Sequence, residues 1–570
     1  MDHFINFLVK FFAWLSRFAP ALSKLGLIEY RKVSDLKNDS KMHILLVGYN
    51  GARNTGADVR VSEIVKQLQD RLGKEDVQIS IMTLNEENIR CYFQSDIQLI
   101  HFSPIFFTKV FTACCANQAV ILCEGSTLKS KFANALTLYF CEAAGIMKNQ
   151  HKPCIAYGSE AGEMDAFLER TVKRLCSDTY FIARTQNSLD RIQQLGLKGH
   201  LGTDAAWKFD SSSHTEWAVA QLRQSGWDGT SPLLGIAPIN PFWWPVRPSL
   251  TKWVKAKLTG DHSLQFQLWY FFSWSKQREH QFEEYLDAIA HSVNEFAAKH
   301  PCHVVILGME RLDADACNKL NARLTKPASV FLSSDHDGYE MAAVLRQLSI
   351  LITSRYHAQV LSMEARVASV AISMDERLDN IMQEMGLSQY QLLHADDTEL
   401  TLALQSALEY ILSYQEQIKD KIRSQLVSYQ KTLEEMGDFL TSSLLSYESD
   451  LAARTDAKGL ERFESLLNAL TDRGSAAFPD AVAGHVVIGN GRIFPVQAEA
   501  YLFKHSPAIV VEEVPAGGVG QKIRQILPPI ELICPHKPFG VCYVVCFTFC
   551  EVGSQREHIG QDALFRRLLL

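Results

Sequence analysis

The chain has 570 residues, which is too long for one ordinary domain and predicts about three or four. Its net charge is −7 and no run of Lys and Arg interleaved with aromatic residues occurs, so nucleic acid is not an expected partner. The thirteen cysteines are scattered, several of them within apolar runs, which is typical of reduced, buried thiols rather than of a disulfide framework or a zinc site.

The first 40 residues form a segment of their own that is dense in aromatic residues, FINFLVKFFAWLSRFAPALSKLGL. Lys10, Arg17 and Pro20 interrupt it, so its apolar part is too short to span a bilayer. It also lacks the basic start and the small-residue cleavage site of a signal peptide. Two interpretations stay open: an amphipathic helix that contacts a membrane surface through residues 4–17, or a helix that packs on the chain's own body.

Short apolar strands alternate with helical patterns over residues 41–228, which predicts βαβ units and a parallel sheet. The predicted strands are HILLVG, VQISIM, IQLIHF, AVILCEG, PCIAYG and TYFIART. Residues 229–395 repeat this alternation with LLGIAP, HVVILG, SVFLSS, LSILITS and ASVAIS. The sequence therefore predicts an α/β protein with two successive Rossmann-like domains of similar size.

Residues 396–450 predict one long helix. Apolar residues recur there at spacings of three, four or seven and form a single stripe, namely Leu404, Leu408, Ile411, Ile418, Ile422, Tyr429, Leu433, Met436 and Leu440. Such a stripe is typical of a packing helix, here one that crosses back onto the first domain, and it would also suit a homodimer. Residues 451–570 contain strand-like segments separated by Pro and Gly, and we expect an extension of unknown fold there.

A glycine-rich loop, VGYNGARNTGADVR, follows the first strand and leads into a helix that starts near Asp58. Glycines such as Gly51 and Gly56 let a ligand approach the backbone closely, and the free amides of a helix start favour an anion. The loop has neither the Gly-Lys-Ser/Thr of a Walker loop nor the Gly-x-Gly-x-x-Gly of a dinucleotide site. Asn54 and Asp58 add polar groups, and a simple turn with Asp58 as the helix cap is the alternative.

Charged residues also mark the end of a strand in the second domain, where LSILIT runs into Ser354-Arg355-Tyr356-His357. An unpaired buried charge is costly, so a partner is expected there. If the chain is still extended, Arg355 and His357 point the same way and converge on one group, such as an anion. The alternative is an ion pair and a hydrogen-bonded histidine at a domain interface.

Taken together, these motifs resemble the polysaccharide pyruvyl transferases over about residues 42–390. The family's Gly-Asn-x-Gly-Asp/Glu loop is similar to Arg53-Asn54-Thr55-Gly56-Ala57-Asp58, with the carboxylate displaced by one position. Its glycine-rich turn is matched loosely by Cys123-Glu124-Gly125-Ser126, and its Gly-Lys-Pro strand by HKPCIAYGSEAG.

Two further segments carry the resemblance. FIARTQNSLDRIQQLGL followed by GTDAAW resembles the family's segment with an Arg-Asp pair, a Ser and a later Asp, matched here by Arg184, Ser188 and Asp204, with Thr185 in place of the acid beside the arginine. The most specific match is the Arg-x-His segment, here SRYHAQVLSMEARVASVAISMDERLDNIMQEMGL.

The resemblance implies a GT-B-like fold with the active site in the cleft between the domains. It also implies transfer of a pyruvyl group from phosphoenolpyruvate to hydroxyls of a cell-surface polysaccharide or its precursor, giving a ketal. In that reaction Arg355 would hold the donor's anionic groups and His357 would act as general acid or assist phosphate departure. The substrate-binding residues would be Gly51, Asn54, Gly56, Asp58, Glu124, Ser126 and Arg184. No cofactor and no metal are expected, and the protein would work in the cytoplasm, at the inner face of the membrane.

Some positions depart from the family pattern. Ala57 occupies the acidic slot of the loop, and the family's further arginine early in the second domain has no clean counterpart, with Arg247 and Arg311 both open. Two other functions therefore stay in view. One is a glycosyltransferase of the same fold, with Glu340 or Asp375 holding the ribose of a nucleotide sugar, and the other is a non-catalytic scaffold.

Overall fold

The computed structural model describes residues 1–33, 41–451, 484–489, 492–495 and 544–547. The chain separates into two compact units, Met1–Thr455 and Asp456–Leu570. The first unit holds both predicted Rossmann-like domains.

The N-terminal domain is built on a parallel seven-stranded sheet of order β3-β2-β1-β4-β5-β6-β7. Its central strands are buried on both faces because helices cover each side, as is usual for parallel sheets. The strands are β1 Met42–Asn50, β2 Val77–Thr83, β3 Gln98–His101, β4 Ala119–Leu122, β5 Cys154–Ser159, β6 Tyr180–Ala183 and β7 Lys198–Leu201. The helices are α1 Asp2–Leu15, α2 Ala19–Lys24, α3 Thr55–Leu72, α4 Glu86–Ile89, α5 Phe107–Ala116, α6 Asn134–Asn149, α7 Ala166–Leu175, α8 Gln186–Gln194 and α9 Thr215–Gln224.

The C-terminal domain repeats this plan with a parallel six-stranded sheet of order β13-β12-β8-β14-β15-β16. Its strands are β8 Leu233–Ala237, β12 His303–Gly308, β13 Ser329–Leu332, β14 Ile350–Thr353, β15 Ala368–Ser373 and β16 Leu392–His394. Its helices are α11 Lys276–Lys299, α12 Ala314–Asn321, α13 Gly338–Leu345, α14 Tyr356–Ser362, α15 Glu376–Glu384 and α16 Ser388–Gln391. The prediction of two Rossmann-like domains in a GT-B-like fold is confirmed, although β7 and β16 were not predicted.

An insertion that the strand pattern did not predict separates β8 from α11. It consists of β9 Arg247–Pro248, α10 Leu250–Thr259, β10 Gln265–Gln267 and β11 Tyr270–Phe271, and its strands form a small antiparallel sheet of order β10-β11-β9. The insertion reaches the other domain: Val246 N donates to Phe132 O at 2.8 Å, and Tyr270 is buried in the N-terminal domain's core. It therefore forms a second connection between the two domains.

The N-terminal segment packs on its own domain. One face of α1, with Ile5, Val9 and Phe12, is buried against α6, while Phe4 remains exposed on the outer side. The helix thus packs on the chain's own body through one face, as the second interpretation predicts. This packing does not account for the exposed outer face. In the residues that the structure describes, no helix has the length and apolar character needed to cross a bilayer.

The single long helix predicted after the second domain is wrong, because the structure has two helices, α17 Leu400–Ser413 and α18 Gln415–Leu451, with a break at Tyr414. Helix α17 packs on the C-terminal domain, and α18 contacts both the C-terminal domain and α3 of the N-terminal domain. Tyr429 of α18 stacks on Trp207 with ring centroids 4.4 Å apart. The stripe thus covers both domains, and the contact of α18 with α3 confirms the predicted return to the first domain.

The second unit is described only in part. Three antiparallel strands, β17 Gly484–Gly489, β18 Arg492–Pro495 and β19 Val544–Phe547, pair in the order β18-β17-β19. The rest of the predicted extension of unknown fold, residues 451–570, lies outside the described residues.

Candidate active site

The two sequence motifs lie at the points where the strand order of each sheet reverses. In the first sheet this point is between β1 and β4, and the glycine-rich loop follows β1; in the second it is between β8 and β14, and Arg355 and His357 follow β14. Crevices at such points are where open α/β sheets bind ligands. The sheet topology therefore indicates these loops as a ligand site, independently of their sequence.

The two domains meet at these loops. Thr55 N, at the start of α3, donates to Met309 O at 2.9 Å, and Ser333 Oγ donates to Arg53 O at 2.8 Å. Met309 and Ser333 directly follow β12 and β13 in the C-terminal domain. The carboxyl ends of both sheets thus face one narrow cleft.

The polar residues of the glycine-rich loop bond to the loop itself. Gly51 has φ +75° and an added Cβ would lie 2.5 Å from the Asn85 carbonyl oxygen, so only glycine fits there. Its N–H donates to Asp58 Oδ1 at 2.9 Å, while Asn54 Oδ1 accepts from Ala57 N and caps α3. Asp58 as helix cap is therefore wrong. Burial raises the pKa of Asp58 to about 7, with the Gly51 N–H opposing the shift.

Gly56 lets the two sides of the cleft approach each other, because its backbone lies directly against the His357 ring. A Cβ at position 56 would be 1.9 Å from His357 Nδ1. On the other side of the ring, Nε2 lies 3.5 Å from Asp204 Oδ2 and makes no hydrogen bond to any described residue. Burial lowers the pKa of His357, and Asp204 only partly opposes this. A neutral imidazole with an unused ring nitrogen is thereby held in the cleft.

Asp204 is fixed by the fully buried Arg60, a residue that the sequence did not single out. Arg60 pairs with the Asp204 carboxylate and donates to Tyr157 O at 2.8 Å and to Gly158 O at 3.0 Å. Burial alone would raise the pKa of Asp204, but Arg60 and the other nearby cations hold it well below its ordinary value. Asp204 is therefore a permanent negative charge beside the histidine.

Arg184 extends the same network. It pairs with Glu160 and, through Nη1, with Asp204 Oδ2 at 3.1 Å. Its guanidinium lies 4.2 Å from the ring centroid of Tyr356, and an added Cβ on Gly125 would be 2.6 Å from Nη1. The predicted turn at residues 123–126 thus needs its glycine in order to make room for Arg184.

Glu124 and Ser126, the other predicted substrate-binding residues of the N-terminal domain, bond within their own turn. Glu124 Oε1 accepts from Ser126 N at 3.2 Å, so these two residues stabilise their own turn. Lys129, which the sequence reading missed, bonds to Glu160 Oε1 at 2.8 Å and to Glu376 Oε1 at 2.9 Å. It links the N-terminal domain to the start of α15 in the C-terminal domain.

The expectation that Arg355 and His357 converge on one group is wrong. Arg355 Nη1 bonds to Glu310 Oε2 at 2.9 Å and Nε bonds to Asp313 Oδ2 at 2.9 Å, whereas His357 faces Asp204. The cause is that α14 begins at Tyr356, and residues two apart on a helix point to nearly opposite sides. Burial disfavours the charge of Arg355, but the two carboxylates outweigh it and raise its pKa.

Of the two arginines left open for a further cation, Arg311 follows β12 at the cleft and Arg247 lies in the insertion. Arg311 is exposed and has no ion-pair partner among the described residues. The two carboxylates suggested for a ribose have structural roles: Glu340 forms a capping box with Asp337, and Asp375 caps α15 and pairs with Arg377. Within the described ranges, no group of three His, Cys, Asp or Glu is arranged to hold a metal ion.

Comparison with known proteins gives one family. The family model of the polysaccharide pyruvyl transferases matches residues 54–376, and no curated protein matches the chain. Among solved structures, the UDP-GlcNAc 2-epimerase from Neisseria meningitidis is 10% identical, with 71% of this chain and 100% of that chain covered and a TM-score of 0.46. The Anabaena protein Alr3699/HepE, in complex with UDP-glucose, is 12% identical, with 70% and 100% covered and a TM-score of 0.44. S. aureus MnaA, solved with UDP, is 10% identical, with 73% and 98% covered and a TM-score of 0.46.

Proposed function

The chain belongs to the polysaccharide pyruvyl transferase family, and we propose that it transfers the pyruvyl group of phosphoenolpyruvate to hydroxyls of a cell-surface polysaccharide or its precursor, forming a ketal. The observation that carries this proposal is His357, whose buried Nε2 has no hydrogen bond among the described residues and lies beside the ionised Asp204 in the cleft. No cofactor is needed, since phosphoenolpyruvate is the donor substrate.

The reaction asks for proton transfer at two places. One sugar hydroxyl bonds to C2 of the donor while a proton reaches its methylene carbon; a second hydroxyl then displaces phosphate, which leaves with the other proton. Neutral His357 is suited to take a hydroxyl proton through the ring nitrogen that does not face Asp204, and the imidazolium so formed is stabilised by Asp204. It can then return the proton to the methylene carbon or to the departing phosphate.

The donor's phosphate and carboxylate require cations. We assign Arg355 to the donor, with the guanidinium exchanging one of its carboxylate partners for the ligand, and Arg311 as a further cation from the same side of the cleft. Arg184 and the start of α3, with Gly51, Asn54, Gly56 and Asp58, would form the opposite wall. Thr55 Oγ1 is buried there without a hydrogen bond and is available to an anion.

The proposed place of work is the cytoplasm, at the inner face of the membrane, where a lipid-linked precursor would be reached. The exposed Phe4 on the outer face of α1 supports contact through residues 4–17. The apolar stripe that suggested a homodimer is buried against the chain's own domains, so it gives a dimer no support.

Thermal unfolding with phosphoenolpyruvate, and separately with UDP, UDP-sugars and GDP-sugars, tests the proposal. A ligand that binds only the folded protein at 100 times its Kd adds about 2.7 kcal/mol to the free energy of unfolding. Arg355→Lys keeps a charge for Glu310 and Asp313 but loses the planar fork, so it should abolish the stabilisation by phosphoenolpyruvate. The matched control is Arg323→Lys, because Arg323 also pairs with two carboxylates, Glu283 and Asp287, outside the cleft.

The outcomes separate the three functions. Stabilisation by phosphoenolpyruvate that survives in Arg323→Lys and is lost in Arg355→Lys supports pyruvyl transfer. A response to a nucleotide sugar alone would replace the proposal with a glycosyltransferase. An unfolding midpoint that no ligand changes would favour a non-catalytic scaffold of the same fold.

A further inference from the structure

Helix α10 of the insertion carries apolar side chains on the outside of the protein. Leu250, Val254 and Leu258 are 50%, 47% and 82% exposed, respectively. They are four residues apart, so they form one stripe along the helix. Helices of soluble proteins normally turn such a stripe toward the core, so this one is available to something outside the chain.

The same helix is basic. Lys252, Lys255 and Lys257 are all exposed, and the ten residues Leu250–Thr259 contain no acid, in a chain whose net charge is −7. Asp261, which follows the helix, accepts hydrogen bonds from Ser263. An apolar stripe flanked by lysines is complementary to a lipid bilayer with an apolar interior and anionic headgroups.

The start of α1 lies close to the insertion that carries α10. Ser249 N, at the start of α10, donates to Trp269 O at 2.8 Å, and the Trp269 ring packs on the core cluster to which α1 contributes. The charge of Asp2, in the first turn of α1, acts on the neighbouring Tyr270. Phe4, two residues after Asp2 on the same helix, adds another exposed apolar side chain near the insertion.

A second set of cations borders α1. Lys10 lies within electrostatic reach of Arg170 and Arg174 on α7, and both arginines are exposed. Lys148 of α6 adjoins them, since its Nζ donates to Arg174 O at 2.9 Å. Cations thus border α1 as well as α10, although α1 also carries Asp2 in its first turn.

We propose that α10 and the start of α1 together dock the protein on an anionic lipid bilayer, with the apolar side chains entering the headgroup boundary and the lysines and arginines facing the lipid phosphates. The inference does not depend on the reaction, because it rests on surface exposure and charge alone. A second copy of the chain is a poor alternative occupant, since copies would bring these cations together. Neither helix is long or apolar enough to cross the bilayer, so the contact is peripheral.

Cosedimentation of the full chain with vesicles tests the proposal, using phosphatidylglycerol–phosphatidylcholine vesicles against vesicles of phosphatidylcholine alone. Each lysine near an anionic surface contributes about fivefold to binding, so Lys252→Gln/Lys255→Gln/Lys257→Gln should bind on the order of 100-fold more weakly. Leu250→Ser/Val254→Ser/Leu258→Ser should also release the protein. The matched controls are Leu402→Ser/Val427→Ser, at exposed apolar positions elsewhere, and Lys198→Gln/Lys299→Gln/Lys431→Gln, at exposed lysines.

Binding to the anionic vesicles only, weakened by both α10 variants and by neither control, supports the docking surface. Binding that the α10 variants leave unchanged would overturn it, as would no binding to either vesicle. Concentration-dependent self-association that disappears in the serine variant would instead make a second copy the occupant. Midpoints of thermal unfolding within a few degrees of the natural sequence would show that the variants are folded.

Discussion

Gly56→Ala tests whether activity depends on the position of the His357 ring. The added Cβ would lie 1.9 Å from Nδ1 and 2.3 Å from Cγ, whereas ordinary contact begins at 3.4 Å, so the ring must retreat by about 1.5 Å. Misplacing a catalytic group by about 1 Å costs about 100-fold in rate, and we expect a loss of at least that size in kcat/KM.

Folding should survive this change. Alanine is favoured over glycine inside a helix by about 0.5–1 kcal/mol, which offsets part of the contact with the ring, and Gly56 lies in the first turn of α3. The assay is phosphate release from phosphoenolpyruvate with a panel of sugar acceptors, beside thermal unfolding of each variant. Gly437→Ala is the control, since the atoms nearest to the new Cβ inside α18 belong to the movable end of Arg71. Activity of Gly56→Ala within about threefold of the natural sequence would refute the role given to His357, because a displacement of this size costs far more.

Three further changes test the structure around the site. The pKa of Asp58 is raised from 3.8 to about 7, so its contribution to the free energy of unfolding is complete below about pH 4 and is lost as the pH rises to 7. Asp58→Asn should therefore remove up to about 4 kcal/mol of the decline in stability over this range. Urea titrations from pH 4 to 8 in which Asp58→Asn and the natural sequence lose stability equally would contradict this. Leu408→Ala should lower the free energy of unfolding by about 2–5 kcal/mol, because the side chain is fully buried, and a change below about 1 kcal/mol in urea titration would place it outside the core. Arg71→Ala breaks the pairs with the exposed carboxylates of Glu434 and Asp438 on α18 and should cost only about 1 kcal/mol, less at high salt. A cost that does not depend on salt would show that the contact is not ionic.

The fold could be predicted because both sheets consist of buried parallel strands, which appear in the sequence as continuous apolar runs between helical patterns. β7 and β16 were missed because Lys198–Leu201 and Leu392–His394 are short and partly polar edge strands. The break at Tyr414 carries neither Gly nor Pro, so no local signal marks it. Only the tertiary structure contains that information.

The candidate site was predicted in location and only partly in detail. The glycine-rich loop and the Arg355–His357 segment do meet at one cleft, but the partner of each residue depends on where α14 begins. Arg60 could not be recognised, since an arginine inside a helical pattern is ordinarily on the solvent side, whereas α3 is buried nearly all round. An arginine flanked by Val59 and Val61 was the one available signal.

The return of α18 to the N-terminal domain has a mechanical consequence. The chain crosses between the domains at the segment before β8 and again along α18, which contacts both domains. These crossings, together with the contact between Val246 of the insertion and Phe132 of the N-terminal domain, restrict how the two domains can move relative to each other. A pair of distance labels, one on each sheet, would therefore show how far the cleft can open while these connections hold.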